Sequence, residues 1–364
     1  MTVKAITDIL EQKAPLQLAE DFDNVGLLVG NPNMQVSGIL VTLDTLEEVV
    51  DEAIERKCNL IVSFHPILFR GLKKITGSTY VERVVTKAIQ HNIALYSMHT
   101  ALDNVPDGVS GKMCEVLGLE KPQVLLPSRG KIKKLLTYVP VPSRDALLEK
   151  LFEAGAGQLG NYSQCSFTAE GTGGFVPEAD AKPNLGTHGK RHRETETQIH
   201  ITFKAHLEKT VLQALFENHP YEEVAYEVTT LDNAYTGIGM GMTGLLPEPM
   251  APTAFLKEVK KRFNSGCIRH SALSETPIRK VAVLGGSGAF AIDAARVSGA
   301  DIFITADVKY HEFFKAEGKM VIADIGHYET EQFTKNLLAE YLSEKIPNFA
   351  ISLSETKTNP INYF

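Results

Sequence analysis

Apolar and polar positions along the chain alternate between two rhythms. Gly38-Ile39-Leu40-Val41-Thr42-Leu43 is a short apolar run that reads as a buried strand. From Leu46 to Lys57 the apolar residues Leu46, Val49, Val50, Ala53 and Ile54 recur at the spacing of one helix face. Residues 59–64 and 93–98 repeat the strand pattern, residues 81–90 and 109–119 the helical one. Strands separated by helices imply parallel pairing with helical crossovers, so residues 1–126 are expected to form an α/β half.

The last third, residues 236–364, returns to this rhythm. Strands are expected at 281–284, 301–305, 320–325 and 349–353. Helices are expected at 290–297 and 311–316, and a long amphipathic one at 330–342. The middle, residues 127–235, differs: strand 134–139, helix 143–154, strands 164–169 and 197–204, helix 208–218, strand 223–229. That β-α-β-β-α-β order is ferredoxin-like. Between its two middle strands lies a polar stretch, Pro177 to Glu194, that reads as a mobile loop. The expected fold class is therefore α/β: two α/β halves packed as one metal-binding unit, with an inserted ferredoxin-like α+β domain.

Composition narrows the chemistry. A length of 364 residues, 43% hydrophobic and 22% charged, suits a globular protein of two or three domains. The net charge of −7 argues against nucleic acid as a partner. Cys58, Cys114, Cys165 and Cys267 are scattered, and no CxxC pair offers a thiolate zinc site or a redox dithiol. Scattered cysteines, an N-terminus interrupted by charge and no long apolar span lead to the expectation of a cytoplasmic protein with no membrane contact.

In parallel α/β sheets, functional groups gather past the carboxyl ends of the strands. Those ends carry Asp44, then Ser63-Phe64-His65-Pro66, then His99 to Asn104 in the first half. In the second half they carry Gly285 to Gly288, then Asp307-Val308-Lys309, then Asp324 to Glu331. Imidazoles and carboxylates without thiolates are the donor set of zinc, manganese or iron. His327 and Glu331, four apart at the opening of a helix, share one face. His65, His327 and Glu331 thus become candidate metal ligands, and one or both of His99 and Asp103, on the turn after their strand, can face the same cleft.

Each has a plainer reading. A histidine at a strand end is more often a hydrogen-bonded structural group, i, i+4 pairs are common on solvated helix faces, and Asp103 can be a simple cap. For Asp307, Lys309 and His311, substrate contact and solvated surface stand equal. Gly285 to Gly288 fits no nucleotide fingerprint and reads as a tight turn that needs glycine, although such turns can also hold an anion. Gly237 to Gly244 reads as a hinge-like connector. No GxSxG elbow supports Ser-His-Asp catalysis.

Four stretches together resemble a known family: Leu18 to Gly30 (LAEDFDNVGLLVG), Ser63 to Phe69 (SFHPILF), His99 to Asn104 (HTALDN) and Asp324 to Glu331 (DIGHYETE). This is the NIF-three-like family, whose bacterial members carry the name GTP cyclohydrolase 1 type 2 homologue. The middle region resembles the PII-like or CutA-like domain of its longer bacterial members, with His219 to Val224 as its clearest piece. The resemblance implies a two-metal site on the inner surface of a toroidal homohexamer, a trimer of dimers. Its ligands by position are His65, Asp103, His327 and Glu331. The family has two adjacent histidines before the proline, whereas here the first position is Phe64, which cannot ligate. One or two divalent ions per chain are therefore expected, zinc first, manganese or iron next.

If the cyclohydrolase name applies, the implied reaction is hydrolysis at the imidazole ring of GTP. Glu331 would hold metal and orient water, and His99 would move protons. Lys309 and His311 would meet a small-molecule or nucleotide substrate. The competing expectations are a non-catalytic, metal-binding regulatory protein with a PII-like sensor or lid, and a scaffold in which the metal is structural.

Overall fold

The computed structural model describes residues 1–364, and the chain divides into two compact units: Met1–Pro127 with Thr236–Phe364, and Ser128–Tyr235. The first unit holds two sheets. In one, the strands run in the order Gly26–Val29, Ala94–Ser97, Leu60–Ser63, Ile39–Thr42, Ile351–Leu353. The last four are parallel neighbours, and Gly26–Val29 closes the edge antiparallel to Ala94–Ser97. The three central strands are buried at every position, which is why they read as continuous apolar runs rather than alternating ones.

The second sheet runs in the order Arg269–His270, Val321–Asp324, Ile302–Ala306, Ile278–Ser287, Tyr235–Met250, Glu120–Ser128. Its centre, Ile278–Ser287, Ile302–Ala306 and Val321–Asp324, is parallel, and antiparallel strands flank it. One face packs Val281, Val283, Ile302, Ile304 and Val321 against Phe255, Val259 and Phe263 of the helix Pro252–Arg262 and its cap. The other buries Ala282, Phe303 and Ile322 under the helix Ile292–Val297.

The second unit is a four-stranded antiparallel sheet in the order Ser166–Phe175, His192–Lys204, Ile132–Pro140, Tyr226–Leu231. Helices Arg144–Glu153 and Glu208–Asn218 seal one face, over Leu135, Ile199, Ile201 and Phe203. The chain order is β-α-β-β-α-β with the two outer strands in sequence paired at the centre and edge, a ferredoxin-like arrangement. The polar segment between its middle strands is pinned by hydrogen bonds within itself and to the turn at Glu222: His188 Nδ1 meets Glu178 O at 2.8 Å, and Lys182 N–H donates to Glu222 Oε2 at 2.7 Å.

Two expectations are corrected. The helix read across 330–342 is two helices, His327–Glu331 and Thr334–Lys345. The interruption is confined to Gln332 and Phe333, both of which keep right-handed helical backbone. Gly237 to Gly244 is no hinge but the interior of the strand Tyr235–Met250. Its glycines serve close backbone approach: a Cβ on Gly239, where φ is +151°, would lie 2.1 Å from Leu126 O.

Candidate metal centre

The carboxyl ends of the parallel strands deliver the site. Beyond Leu60–Ser63 and Ala94–Ser97 the ladder continues: His65 N–H donates to Leu43 O at 2.9 Å and His99 N–H to Phe64 O at 3.0 Å. The two imidazoles therefore leave neighbouring strands side by side, ring centroids 5.4 Å apart. From the other sheet, Ile325 N–H bonds Thr305 O, and Gly326, at φ +102°, turns the chain so that His327 opens its helix. The His65 and His327 rings come within 5.5 Å.

His65, His327 and Glu331 place one ligand atom each within 4.8 Å of one another. Both Nε2 atoms lie 3.1 Å from Glu331 Oε2. These contacts lack hydrogen-bond alignment, and Glu331 Oε2 is buried without a hydrogen-bond partner. A buried carboxylate oxygen flanked by two imidazole nitrogens without an aligned hydrogen bond is an arrangement a cation completes, and N/N/O is a donor set that zinc, manganese and iron accept.

A carboxylate backs each imidazole. His65 Nδ1 meets Asp44 Oδ1 at 2.8 Å, His327 Nδ1 meets Asp307 Oδ2 at 2.7 Å, and His99 Nδ1 meets Asp23 Oδ1 at 2.8 Å. An Nδ1–H given to a carboxylate fixes the tautomer that leaves Nε2 free to ligate. Asp44 in turn accepts from Thr358 Oγ1 at 2.6 Å, and Asp23 from Thr100 N–H at 3.1 Å.

Charge follows this geometry. Burial works against a charged His65, but Asp44 and Glu331 outweigh it and raise its pKa to about 10. His327 is raised to about 11 by Asp307 and Glu331 against the same opposition. Glu331 is held at about 2: burial pushes up, and the two imidazoliums push further down. Asp23 is likewise held at about 2, the contacts from His99 and Thr100 overcoming burial.

Gly286, in the turn after Ile278–Ser287, lies against this carboxylate. A Cβ there would stand 2.4 Å from Glu331 Oε1. Its φ is +67°, and its N–H donates to Thr330 Oγ1 at 2.9 Å. The glycine turn read from sequence is thus the cradle of the central carboxylate.

Of the residues singled out by sequence, His65, His327 and Glu331 converge. His99 stands beside His65. Asp103 stays outside the three-atom cluster: it lies in the short helix His99–Asp103, and burial, then the charge of Glu331, push its carboxyl well above the ordinary range. Lys309 and His311 are exposed and make no hydrogen bond to the triad. The His311 ring instead packs on Tyr310 and Phe314. Phe64 is fully buried, its ring 4.9 Å from His65 and 5.5 Å from His99. The backing carboxylates Asp44 and Asp23 had no assigned role in the sequence reading, although Asp44 sits at a strand end and that position is the signal that reveals it.

An α/β unit with imidazoles and a buried carboxylate meeting at strand ends defines a class of candidate metal-binding proteins. The chain belongs to the Duf34/NIF3 (NGG1p interacting factor 3) family, whose model matches residues 1–360. It is 37% identical over 366 residues to the GTP cyclohydrolase 1 type 2 homolog of Halalkalibacterium halodurans, covering 99% of this chain and 98% of that one. The Bacillus subtilis protein of the same name is 35% identical over 363 residues, covering 98% and 97%. The crystal structure of a Bacillus cereus protein related to NIF3 superposes with a TM-score of 0.86 at 36% identity, covering 100% of this chain and 99% of that one. No helix is long and apolar enough to cross a membrane.

Proposed function

We propose that this chain is a cytoplasmic divalent-metal protein acting as a metal-dependent hydrolase on a nucleotide or related small molecule. The observation that carries the reading is Glu331 Oε2, buried without an aligned hydrogen bond and 3.1 Å from two imidazole nitrogens. His65, His327 and Glu331 hold one ion, zinc foremost, with Asp103 and His99 at its margin. Phe64 occupies the place where a second family histidine would stand. A divalent ion in such a site supplies Lewis acidity and acidifies water.

The rest is the work of the chain's own groups. Asp44 and Asp307 hold His65 and His327 in the ligating tautomer. His99, steadied by Asp23, is placed to carry a proton at Nε2. Three protein ligands leave coordination open, and the His327 side chain remains 40% exposed, whereas purely structural zinc sites are closed by four ligands. A recess of about 330 Å³ lined by Asp44, His65, Tyr80 and Thr358 adjoins the triad and offers room for substrate. The name of the relatives, GTP cyclohydrolase 1 type 2 homolog, makes GTP the first substrate to try. The ferredoxin-like unit is read as a PII-like lid or assembly module, and self-association as a toroidal homohexamer.

Two measurements test this. Elemental analysis of purified protein should find about one transition-metal ion per chain, lost in His327→Ala. Incubation with GTP and a nucleotide panel, with Zn, Mn or Fe added, should show metal-dependent turnover. Absence of metal from the wild type removes the reading. Bound metal with background turnover alone moves it to the second reading, a non-catalytic regulatory or scaffold protein.

A further inference from the structure

The ferredoxin-like unit contains a cavity of about 440 Å³ of its own, in the size range of small-molecule sites. It lies between the strand end at Phe175, the pinned loop that follows, and the turn at Tyr221. Its wall is mainly apolar and aromatic, with Tyr138, Phe175 and Tyr221 as the rings; Phe175 and Tyr221 stand 6.1 Å apart at 64°. One charged group is built into it: Glu196, only 8% exposed. Its Oε1 accepts from Tyr221 Oη at 2.7 Å, while Oε2 makes no hydrogen bond.

Oε2 lies beside Gly173, where a Cβ would stand 1.9 Å away, and Gly173 lines an adjoining recess of about 290 Å³ that shares Tyr138 and Glu196 with this cavity. An enclosed carboxylate with a single hydroxyl donor favours a further donor or a cation beside it. The remaining charged side chains on the wall are Glu178, Glu222 and Glu223, and no lysine or arginine lines it. Lys182 contributes its backbone N–H to Glu222 and keeps its ammonium outside the lining. Phosphate and carboxylate ligands therefore find no cation among the lining side chains. Aromatic faces beside a carboxylate attract a cation.

We infer that this cavity binds a small organic cation: an amine, amidinium or guanidinium carried on an apolar or aromatic body, with its N–H donated to the Glu196 carboxylate and its body packed against the Phe175–Tyr221 pair. The inference stands apart from the metal reading, since none of these residues belongs to the triad.

The test uses the full chain labelled with 3-fluorotyrosine, titrated with benzamidine, neutral benzamide and anionic benzoate under fluorine NMR. Tyr138→Phe and Tyr221→Phe assign the two resonances. Benzamidine should shift both saturably, benzamide at least tenfold more weakly, and benzoate not at all. Glu196→Gln and Gly173→Ala should each weaken benzamidine at least tenfold, the first by removing the charge and the second by displacing Oε2. The wild-type ranking alone decides the matter if either variant fails to fold. No shift with millimolar benzamidine, or equal binding of benzamide or benzoate, overturns the inference. So does undiminished binding in a folded Glu196→Gln protein.

Discussion

Replacing Gly286 by alanine probes the triad without touching a ligand. Two effects are separable. The backbone effect is the left-handed φ of +67°, which costs a residue with a Cβ about 1–2 kcal/mol. The steric effect is the new Cβ at 2.4 Å from Glu331 Oε1; contacts below 3.0 Å do not persist, so the carboxylate must retreat by about 0.6 Å. Metal–ligand distances tolerate only about 0.2 Å. The retreat exceeds that threefold, and affinity should fall 10- to 100-fold, the usual scale for disturbing a ligand's support. Gly318→Ala is the matched control: its φ is +65°, and nothing lies within 4 Å of its Cβ. Zinc affinity is measured by competition with a chromophoric chelator, and stability by urea unfolding of the metal-free proteins. Gly318→Ala should lose about 1–2 kcal/mol of stability and keep wild-type affinity. Equal losses of affinity in the two variants, or none in Gly286→Ala, would refute the placement of Glu331 at the ion.

Asp307→Asn and Asp44→Asn, which leave every ligand in place, should each weaken zinc about 10- to 100-fold, checked by the same competition. Because His65 and His327 titrate near 10 and 11 in the metal-free chain, both are protonated at neutral pH and a bound ion must displace two protons. Affinity should then rise about a hundredfold per pH unit between pH 6 and 8, read by calorimetry in buffers of different ionisation enthalpy; a pH-independent affinity contradicts this. The same raised values stabilise the metal-free fold fully below an imidazole's ordinary pKa of about 6.5, and that contribution is lost as pH climbs through about 10, which alkaline unfolding curves of apo protein will show. Phe303→Ala, at a fully buried ring, should cost about 3–5 kcal/mol by urea unfolding.

The parallel strands were legible because burial on both faces leaves no polar position to blur them: Ile39–Thr42, Leu60–Ser63, Ala94–Ser97 and Ile302–Ala306 all stand inside apolar runs. Their ends then led to His65, His99 and His327. What escaped the reading was set by long-range partners. Tyr235–Met250 looks like a connector because its glycines are chosen by the backbone of Leu126 and Val283, which periodicity does not see. The helices Val3–Lys13 and Pro252–Arg262 were passed over, although Thr2 caps the first and a proline opens the second. Asp103, on the turn after its strand, lies near enough to feel the charges of Glu331, His65 and His327 while remaining outside the three-atom cluster.

The triad draws one member from before the intervening unit and two from after it, and this imposes a timetable on biosynthesis. His65 emerges from the ribosome early, whereas His327 and Glu331 follow on the order of ten seconds or more later at ordinary elongation rates. During that interval a nascent chain presents an incomplete donor set with little grip on any ion. Capture of the correct metal is therefore deferred to the finished polypeptide, where the composition of the cellular metal pool rather than the order of translation selects the occupant.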